Sequence, residues 1–274
     1  MTAFRAACIQ TRASDDVAEN IREVGKLVRE AAARGAHFIA TPENATLMAA
    51  NAPAKLARSF PEAEDPALPA FSDLARELKI WLSLGSIATR LDAEKTANRS
   101  FLFSPDGGIA ARYNKIHLFD VEVAEGETYR ESATVTGGDR AVLADTPWGR
   151  MGLTVCYDIR FPHLYRRLAL AGAFAFTIPS AFTVPTGQAH WHVLLRARAI
   201  ENGAFVIAPA QGGAHAGGRR TYGHSLIVGP WGEVLAESPG DEPGVILAGI
   251  DPLQSARARA RMPSLTQDRP FDGP

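Results

Sequence analysis

The spacing of apolar residues along the first ninety positions alternates between two periods and predicts a β-α-β-α-β order. Residues 4–10 (FRAACIQ) form a short apolar run with β propensity. After Asp16 the apolar residues recur every three or four positions, as they do on one face of a helix. Residues 37–43 and 80–90 are predicted as strands, and residues 66–79 between them as a helix.

The rest of the chain combines further helices and strands with hairpins. Turn residues separate pairs of apolar runs at three places, namely 105–108 (Pro-Asp-Gly-Gly), Trp148-Gly149 and Pro230-Trp231-Gly232, each predicting a β-hairpin. Helices are predicted to end near Gly172 and Gly203, and strands at 174–180, 205–210 and 244–251. Because hairpins interrupt the alternation, we expect a mixed sheet system with helices outside it, rather than a doubly wound parallel sheet.

No linker or low-complexity tract divides the chain, so we expect one domain over residues 1–274. The longest irregular segments are 120–140 and 211–220. Long irregular segments in compact domains often carry function.

Composition and charge exclude several classes of protein. The 29 basic and 30 acidic residues leave a formal charge of −1, so the overall balance calls for neither nucleic acid nor an anionic membrane surface. Two cysteines are too few for a disulfide-stapled secreted protein. No apolar run reaches the ~18 residues of a membrane span, and the N-terminus does not resemble a signal peptide. We therefore expect a cytoplasmic protein with no membrane partner.

Three residues could carry chemistry at the ends of apolar strands or beside them. Cys156 follows MGLTV, Glu43 follows IATP, and Lys115 lies between two apolar patches in RYNKIHLFD. Taken alone, Cys156 is as well explained as a buried core residue, Glu43 as a loop carboxylate and Lys115 as a solvated lysine. Cys8 has an apolar setting and is expected in the core.

Cofactor sites have little support in the sequence. The histidines His190, His192, His215 and His224 do not follow the His-Glu-x-x-His spacing of zinc hydrolases. The glycine-rich stretch 212–218 lacks the Gly-x-Gly-x-x-Gly order of a dinucleotide-binding turn. We expect no metal and no cofactor.

Three motifs that follow one another along the chain change the interpretation of Glu43, Lys115 and Cys156. The segments TPEN (41–44), YNKIHLFD (113–120) and GLTVCYDIRFP (152–162) resemble the three catalytic motifs of the nitrilase, or carbon–nitrogen hydrolase, superfamily. The resemblance continues through 179–191, 221–236 and the Arg-Met-Pro at 261–263, so it covers almost the whole chain.

The resemblance implies a four-layer α-β-β-α sandwich and a cysteine-dependent amide hydrolase. Cys156 would be the nucleophile, Glu43 the general base and Lys115 the oxyanion stabiliser, while Glu131 corresponds to the family's second glutamate. A poor electrophile such as an amide needs those three functions together. The reaction would convert a primary amide into an acid and ammonia through a thioester.

Within the superfamily the sequence looks most like the Nit branch, which includes deaminated glutathione amidases and ω-amidases. The Tyr-Gly-His-Ser at 222–225 and the arginine pair before it favour the former. An ω-amidase on α-ketoglutaramate, a carbamoyl or aliphatic amide hydrolase, and a catalytically silent ligand-binding protein remain alternatives. The family also implies a homodimer or a higher homo-oligomer.

The resemblance also implies residues that bind the substrate. The backbone N–H of Tyr157 would bind the oxyanion, Arg160 a substrate carboxylate, and Arg219 and Arg220 a longer tail. Phe182, Thr183 and His190 are further pocket candidates from the segment 179–191. Two histidines stand where relatives often have glutamate, His163 and His192, and they leave the choice of substrate open.

Overall fold

The computed structural model describes residues 2–124 and 127–273. The described strands are β1 (Phe4–Gln10), β2 (Phe38–Ala40), β3 (Trp81–Arg90), β4 (Thr96–Phe103), β5 (Ile109–Asn114), β6 (Asp120–Ala124), β7 (Glu127–Arg130), β8 (Val142–Thr146), β9 (Gly149–Leu153), β10 (Ala173–Thr177), β11 (Phe205–Ala208), β12 (Gly212–Ala214), β13 (Arg220–Tyr222), β14 (Leu226–Val228), β15 (Val234–Glu237) and β16 (Gly244–Ile250). The described α-helices are α1 (Val17–Ala33), α2 (Ala52–Ala57), α3 (Ala67–Leu78), α4 (Pro162–Leu170), α5 (Val184–Asn202) and α6 (Pro252–Arg261).

Most of the strands belong to two six-stranded sheets of similar design. The first has the order β16-β1-β2-β3-β4-β5 and the second the order β15-β14-β11-β10-β9-β8. In each sheet three central strands run parallel and their neighbours pair antiparallel. The mixed sheet system expected from the hairpins is therefore confirmed.

Strand alternation sorts the apolar side chains into three cores and so builds four layers. Phe4, Ala6 and Cys8 of β1 face the central core, which also contains side chains from β9, β10 and β11 of the second sheet. Ala7 and Ile9 face the opposite way, against α1 and α3. The outer face of the second sheet packs against α4 and α5. The order is helices, sheet, sheet, helices, and the expected α-β-β-α sandwich is confirmed.

The sequence predicted the positions of these elements more accurately than their boundaries. The predicted strand 37–43 is paired only over Phe38–Ala40, since Pro42 and the residues after it leave the sheet. The segments 120–140 and 211–220 were expected to be irregular, yet they contain the small pairs β6-β7 and β12-β13. That residues 1–274 form a single domain stays a prediction.

Candidate active site

Each of the three candidate residues follows the end of a strand. Glu43 follows β2, Lys115 follows β5 directly, and Cys156 follows β9 in the second sheet. The loop that carries Glu43 crosses closely over β3 at Gly85, where an added Cβ would lie 1.9 Å from the Thr41 carbonyl oxygen. Only glycine permits this approach of the two backbones.

Lys115 is the centre of a buried ion cluster. Its Nζ lies 2.9 Å from Oε1 of Glu43 and 2.8 Å from Oε2 of Glu131. Glu43 and Lys115 are each only 2% exposed, so the two side chains contact each other and not water. Burial raises the pKa of Glu131, but the Lys115 and Lys55 cations and the Phe119 N–H outweigh it and lower that pKa to about 2. Glu131 is therefore ionised and holds Lys115 charged.

Asn98 of β4 joins the two carboxylates. Its Nδ2 donates to Oε1 of Glu43 at 2.8 Å and to Oε1 of Glu131 at 3.1 Å. Two carboxylates that share one ammonium and one amide are fixed in orientation as well as in charge. The amide was not among the residues proposed from the sequence. In the sequence nothing distinguished it from the other polar residues of the segment TANRSFLF (96–103).

Cys156 has the backbone geometry of a constrained turn. Its φ of +50° lies in the left-handed region, which costs a non-glycine residue about 1–3 kcal/mol. Its N–H donates to the Pro179 carbonyl oxygen at 2.9 Å. Among the hydrogen bonds of the described residues, the next N–H along the chain, that of Tyr157, has no acceptor outside the short 3₁₀ turn Cys156–Arg160. Tyr157 also lines the cavity described below.

The Cys156 thiol is protonated at rest. Burial and the negative charge of Glu43 raise its pKa more than the Lys115 cation and the Ala181 N–H lower it. Desolvation thus exceeds the effect of the Lys115 cation, so a base must take the thiol proton during the reaction.

A buried carboxylate ties the cysteine turn to the loop that carries Lys115. Asp158 accepts from the Val155 N–H at 2.9 Å, the His117 N–H at 3.0 Å and the Tyr113 hydroxyl at 2.7 Å. The first bond lies within the cysteine turn, and the other two come from Tyr113 of β5 and from His117, on either side of Lys115. Asp158 therefore fixes the two catalytic motifs relative to each other.

The cluster lies at the base of a cavity of about 750 Å³. Cys156, Glu43, Lys115 and Glu131 line it together with residues of α2, β7 and the 217–220 segment. A volume of this size accommodates a ligand much larger than a simple amide.

Residues 5–260 match the family model for carbon-nitrogen hydrolases. The chain belongs to the carbon–nitrogen hydrolase family. It is 40% identical over 277 residues to a deaminated glutathione amidase of Synechocystis, covering 99% of this chain and 100% of the relative. It is 37% identical to the human omega-amidase NIT2, covering 98% of this chain and 96% of that one.

Among solved structures, the NitFhit protein of C. elegans superimposes with a TM-score of 0.90 at 35% identity. The match covers 97% of this chain and 65% of that longer one. The resemblance inferred from the three motifs is thus confirmed. As a carbon–nitrogen hydrolase with amidases among its relatives, the protein is an enzyme that hydrolyses amides.

In this carbon–nitrogen hydrolase, four of the substrate-binding candidates line the cavity, namely Tyr157, Phe182, Arg219 and Arg220. The structure places the other three, Arg160, Thr183 and His190, outside its wall. The Arg160 guanidinium lies over the Tyr157 and Phe182 rings, 5.9 and 5.6 Å from their centroids, and 3.2 Å from Nδ1 of His190. It therefore lies behind the aromatic wall. Thr183 is bonded to Thr186 at the start of α5, and His190 is exposed on that helix.

The two histidines that depart from the family pattern also have partners. His163 packs edge-on against the stacked rings of His117 and Phe161. His192 lies 2.7 Å from Glu237. Neither lines the cavity.

Within residues 2–124 and 127–273, no group of three or more His, Cys, Asp or Glu side chains is arranged to hold a metal ion. In the same part of the chain, no helix has both the length and the apolar character to cross a bilayer. The expectations of no metal and no cofactor stay predictions.

Proposed function

We propose that the protein is a deaminated glutathione amidase, with Cys156 as nucleophile, Glu43 as general base and acid, and Lys115 and Tyr157 as oxyanion donors. The observation that carries the proposal is Lys115, held between Glu43 and Glu131 beside Cys156 at the base of a cavity of about 750 Å³. Relatives named for this activity match the chain over nearly its whole length.

The first half of the reaction forms a thioester. Because the Cys156 thiol is protonated at rest, it must lose its proton to Glu43 as the sulfur attacks the substrate carbonyl carbon. The carbonyl oxygen becomes an oxyanion, to which Lys115 Nζ and the Tyr157 N–H donate. Each such donor contributes about 3–4 kcal/mol to stabilising the transition state. Protonated Glu43 then gives its proton to the amine as the carbon–nitrogen bond breaks.

The second half hydrolyses the thioester. Glu43, again a carboxylate, takes a proton from water while the water oxygen attacks the thioester carbon. The carbon–sulfur bond breaks, the acid leaves, and the proton on Glu43 returns to sulfur. Glu131 and Asn98 keep Lys115 and Glu43 in position through both halves.

The amine that leaves depends on the substrate. Deaminated glutathione carries its scissile γ-amide on cysteine, so cysteinylglycine leaves and α-ketoglutarate remains. α-Ketoglutaramate carries the same acyl group on a primary amide, and ammonia leaves. The ammonia-releasing reaction expected from the sequence therefore corresponds to the second substrate.

The ω-amidase activity is the second candidate, supported by the similarity to the human enzyme of that name. The size of the cavity favours the longer tripeptide-like substrate over the short one. A carbamoyl or aliphatic amide hydrolase has no specific observation in its favour. The complete Glu43, Lys115 and Cys156 set argues against a silent ligand-binding protein.

We also propose a homodimer or higher homo-oligomer in the cytoplasm. Three large apolar side chains on and beside α5, those of Val193, Ile200 and Trp231, are at least about half exposed, which supports an interface there. Both cysteines are free thiols, in keeping with a reducing compartment. Sedimentation equilibrium measures the oligomer, and a monomer at all concentrations would contradict the first of these proposals.

The test of substrate compares kcat/KM for deaminated glutathione and α-ketoglutaramate, with α-ketoglutarate as the common measured product. We expect at least a tenfold preference for deaminated glutathione, about 1.4 kcal/mol. The reverse preference would make the protein an ω-amidase. No turnover of either would contradict both candidates.

A further inference from the structure

The charges around the cavity differ between its base and its rim. At the base, the Lys115 ammonium faces two carboxylates. The other charged lining residues are Lys55, Arg130, Arg219, Arg220 and Glu127, which leave a formal excess of three positive charges. A substrate whose reacting amide lies at the base therefore has its far end in a positive field.

Three of these rim cations, Lys55, Arg130 and Arg219, have no carboxylate within ion-pair distance among the described residues, and two of the three are partly buried. Arg220 lies 3.7 Å from Asp241, and Arg130 is exposed to solvent. Neither Lys55 nor Arg219 takes part in any of the ion pairs found within residues 2–124 and 127–273. Both are partly buried, where an unpaired cation costs free energy that a bound anion would offset.

Arg219 is held in place but only partly satisfied. Its Nη2 donates to the Ala181 carbonyl oxygen at 2.9 Å, and its guanidinium lies 5.4 Å from the centroid of the Tyr129 ring. Its Nε is buried and has no hydrogen-bond partner within the described part of the chain. The planar fork is thus held in place, and its Nη1, which has no acceptor among the hydrogen bonds of the described residues, is the donor that a carboxylate would meet.

Lys55 lies on the short helix α2, facing the same cavity. Burial lowers its pKa, and the nearby Lys115 and Arg219 cations lower it further, while Glu131 and Glu43 raise it. It is thus close enough to the base cluster and to Arg219 for their charges to act on it. An anion at the rim would favour its ammonium form.

We propose that Lys55 and Arg219 form a carboxylate site at the rim of the cavity that binds the far end of the leaving group. This proposal rests on the proposed function, in which that end is the glycine carboxylate of deaminated glutathione. α-Ketoglutaramate has the same acyl group and no such carboxylate. The site therefore selects substrates by their leaving group.

The test is Lys55→Met, which keeps the length and the aliphatic part of the side chain but removes the charge. Both substrates form the same α-ketoglutaryl thioester, so its hydrolysis is common to them. We expect the ratio of kcat/KM for deaminated glutathione to that for α-ketoglutaramate to fall about 10- to 100-fold, as expected when a hydrogen bond to a charged group is lost. The change should lie mainly in KM, because the rim contacts no reacting atom.

A substrate variant completes the cycle. Deaminated glutathione that ends in glycinamide lacks the carboxylate, so the kcat/KM of the wild-type enzyme should fall at least as much on it as the kcat/KM of Lys55→Met falls on the acid, because Arg219 also loses its partner. On the glycinamide substrate, the kcat/KM of Lys55→Met should be close to that of the wild-type enzyme, since the interaction between Lys55 and the carboxylate is already absent. The control is Lys26→Met, at an exposed lysine on α1 paired with Glu23, which should leave the ratio unchanged.

The outcomes separate the two proposals. If the wild-type enzyme hydrolyses deaminated glutathione and Lys55→Met leaves the ratio unchanged, the rim site is wrong and the proposed function stands. The rim site is also wrong if Lys55→Met lowers kcat/KM equally on the acid and the glycinamide substrates. If the wild-type enzyme does not hydrolyse deaminated glutathione, the proposed substrate and the rim site are both wrong.

Discussion

Cys8 and Cys156 are both buried free thiols, and burial raises the pKa of each. Cys8 lies on β1 in the central core between the sheets, where its Sγ donates to the Leu226 carbonyl oxygen at 3.8 Å. Cys156 lies at the base of a cavity and has a carboxylate and an ammonium beside it. Burial and a raised pKa are therefore common to the proposed nucleophile and to the cysteine of the core.

What differs is the set of neighbours. A protonated thiol becomes a nucleophile where a base can take its proton, where a cation can hold the charge that develops, and where a substrate can reach it. Cys156 has all three, while Cys8 has none among the described residues. The carboxylates around Lys115 thus matter more for reactivity than the pKa of the thiol alone.

Replacing each cysteine in turn by alanine should give the largest effect and tests this comparison most strongly. Cys156→Ala should lower kcat by at least about 10⁴-fold, as removal of a catalytic nucleophile does elsewhere, and the variant should stay folded. Cys8→Ala should keep close to the wild-type rate and lose about 1 kcal/mol of stability by leaving a small cavity. Steady-state kinetics and denaturant unfolding measure both. Turnover retained by Cys156→Ala, or lost in a folded Cys8→Ala, would reverse the roles of the two residues.

Removing the base while keeping its shape should have the next largest effect. Glu43→Gln should lower kcat by about 10²–10⁴-fold, because the Cys156 thiol then has no group to take its proton. The matched control is Glu77→Gln, since Glu77 is half exposed and paired with Arg29 on the surface. A Glu43→Gln enzyme as active as its control would mean that another group serves as base.

The smallest of these effects concerns stability and pH. The pKa of Glu131 is about 2 in the folded protein, against 4.5 ordinarily, so its ion pair stabilises the fold fully above pH 4.5. That contribution, on the order of 3 kcal/mol, is lost as the pH falls from 4.5 towards 2. The unfolding free energy of Glu131→Gln should lie below that of the wild type at pH 7, and the gap should narrow by pH 3. A gap that did not change with pH would show that Glu131 is not held ionised by Lys115.

The sequence predicted the parts of the site that follow from strand ends and motif spacing. Glu43 and Cys156 follow apolar strands, so their position at a sheet edge could be expected. Their proximity to each other could not be expected, because they belong to different sheets and only the packing of those sheets brings them together. The resemblance to a family supplied that step.

Other features depend on side-chain direction, which no spacing rule gives. Arg160 was expected to pair with a substrate carboxylate because it is close to Cys156 in the chain, yet its side chain lies behind the Tyr157 and Phe182 rings. Asn98 and Lys55 were missed because a buried amide and a lysine on a six-residue helix carry weak signals. Short helices have too few residues to show a periodic pattern.

Alkylation by iodoacetamide, itself a small amide, tests most directly whether Cys156 is the one reactive thiol. Peptide mass spectrometry follows the site of modification while activity is measured on the same samples. We predict one adduct per chain, on Cys156, formed in step with inactivation and slowed by α-ketoglutaramate, with Cys8 unmodified. An adduct on Cys8, or inactivation with Cys156 unmodified, would contradict this account.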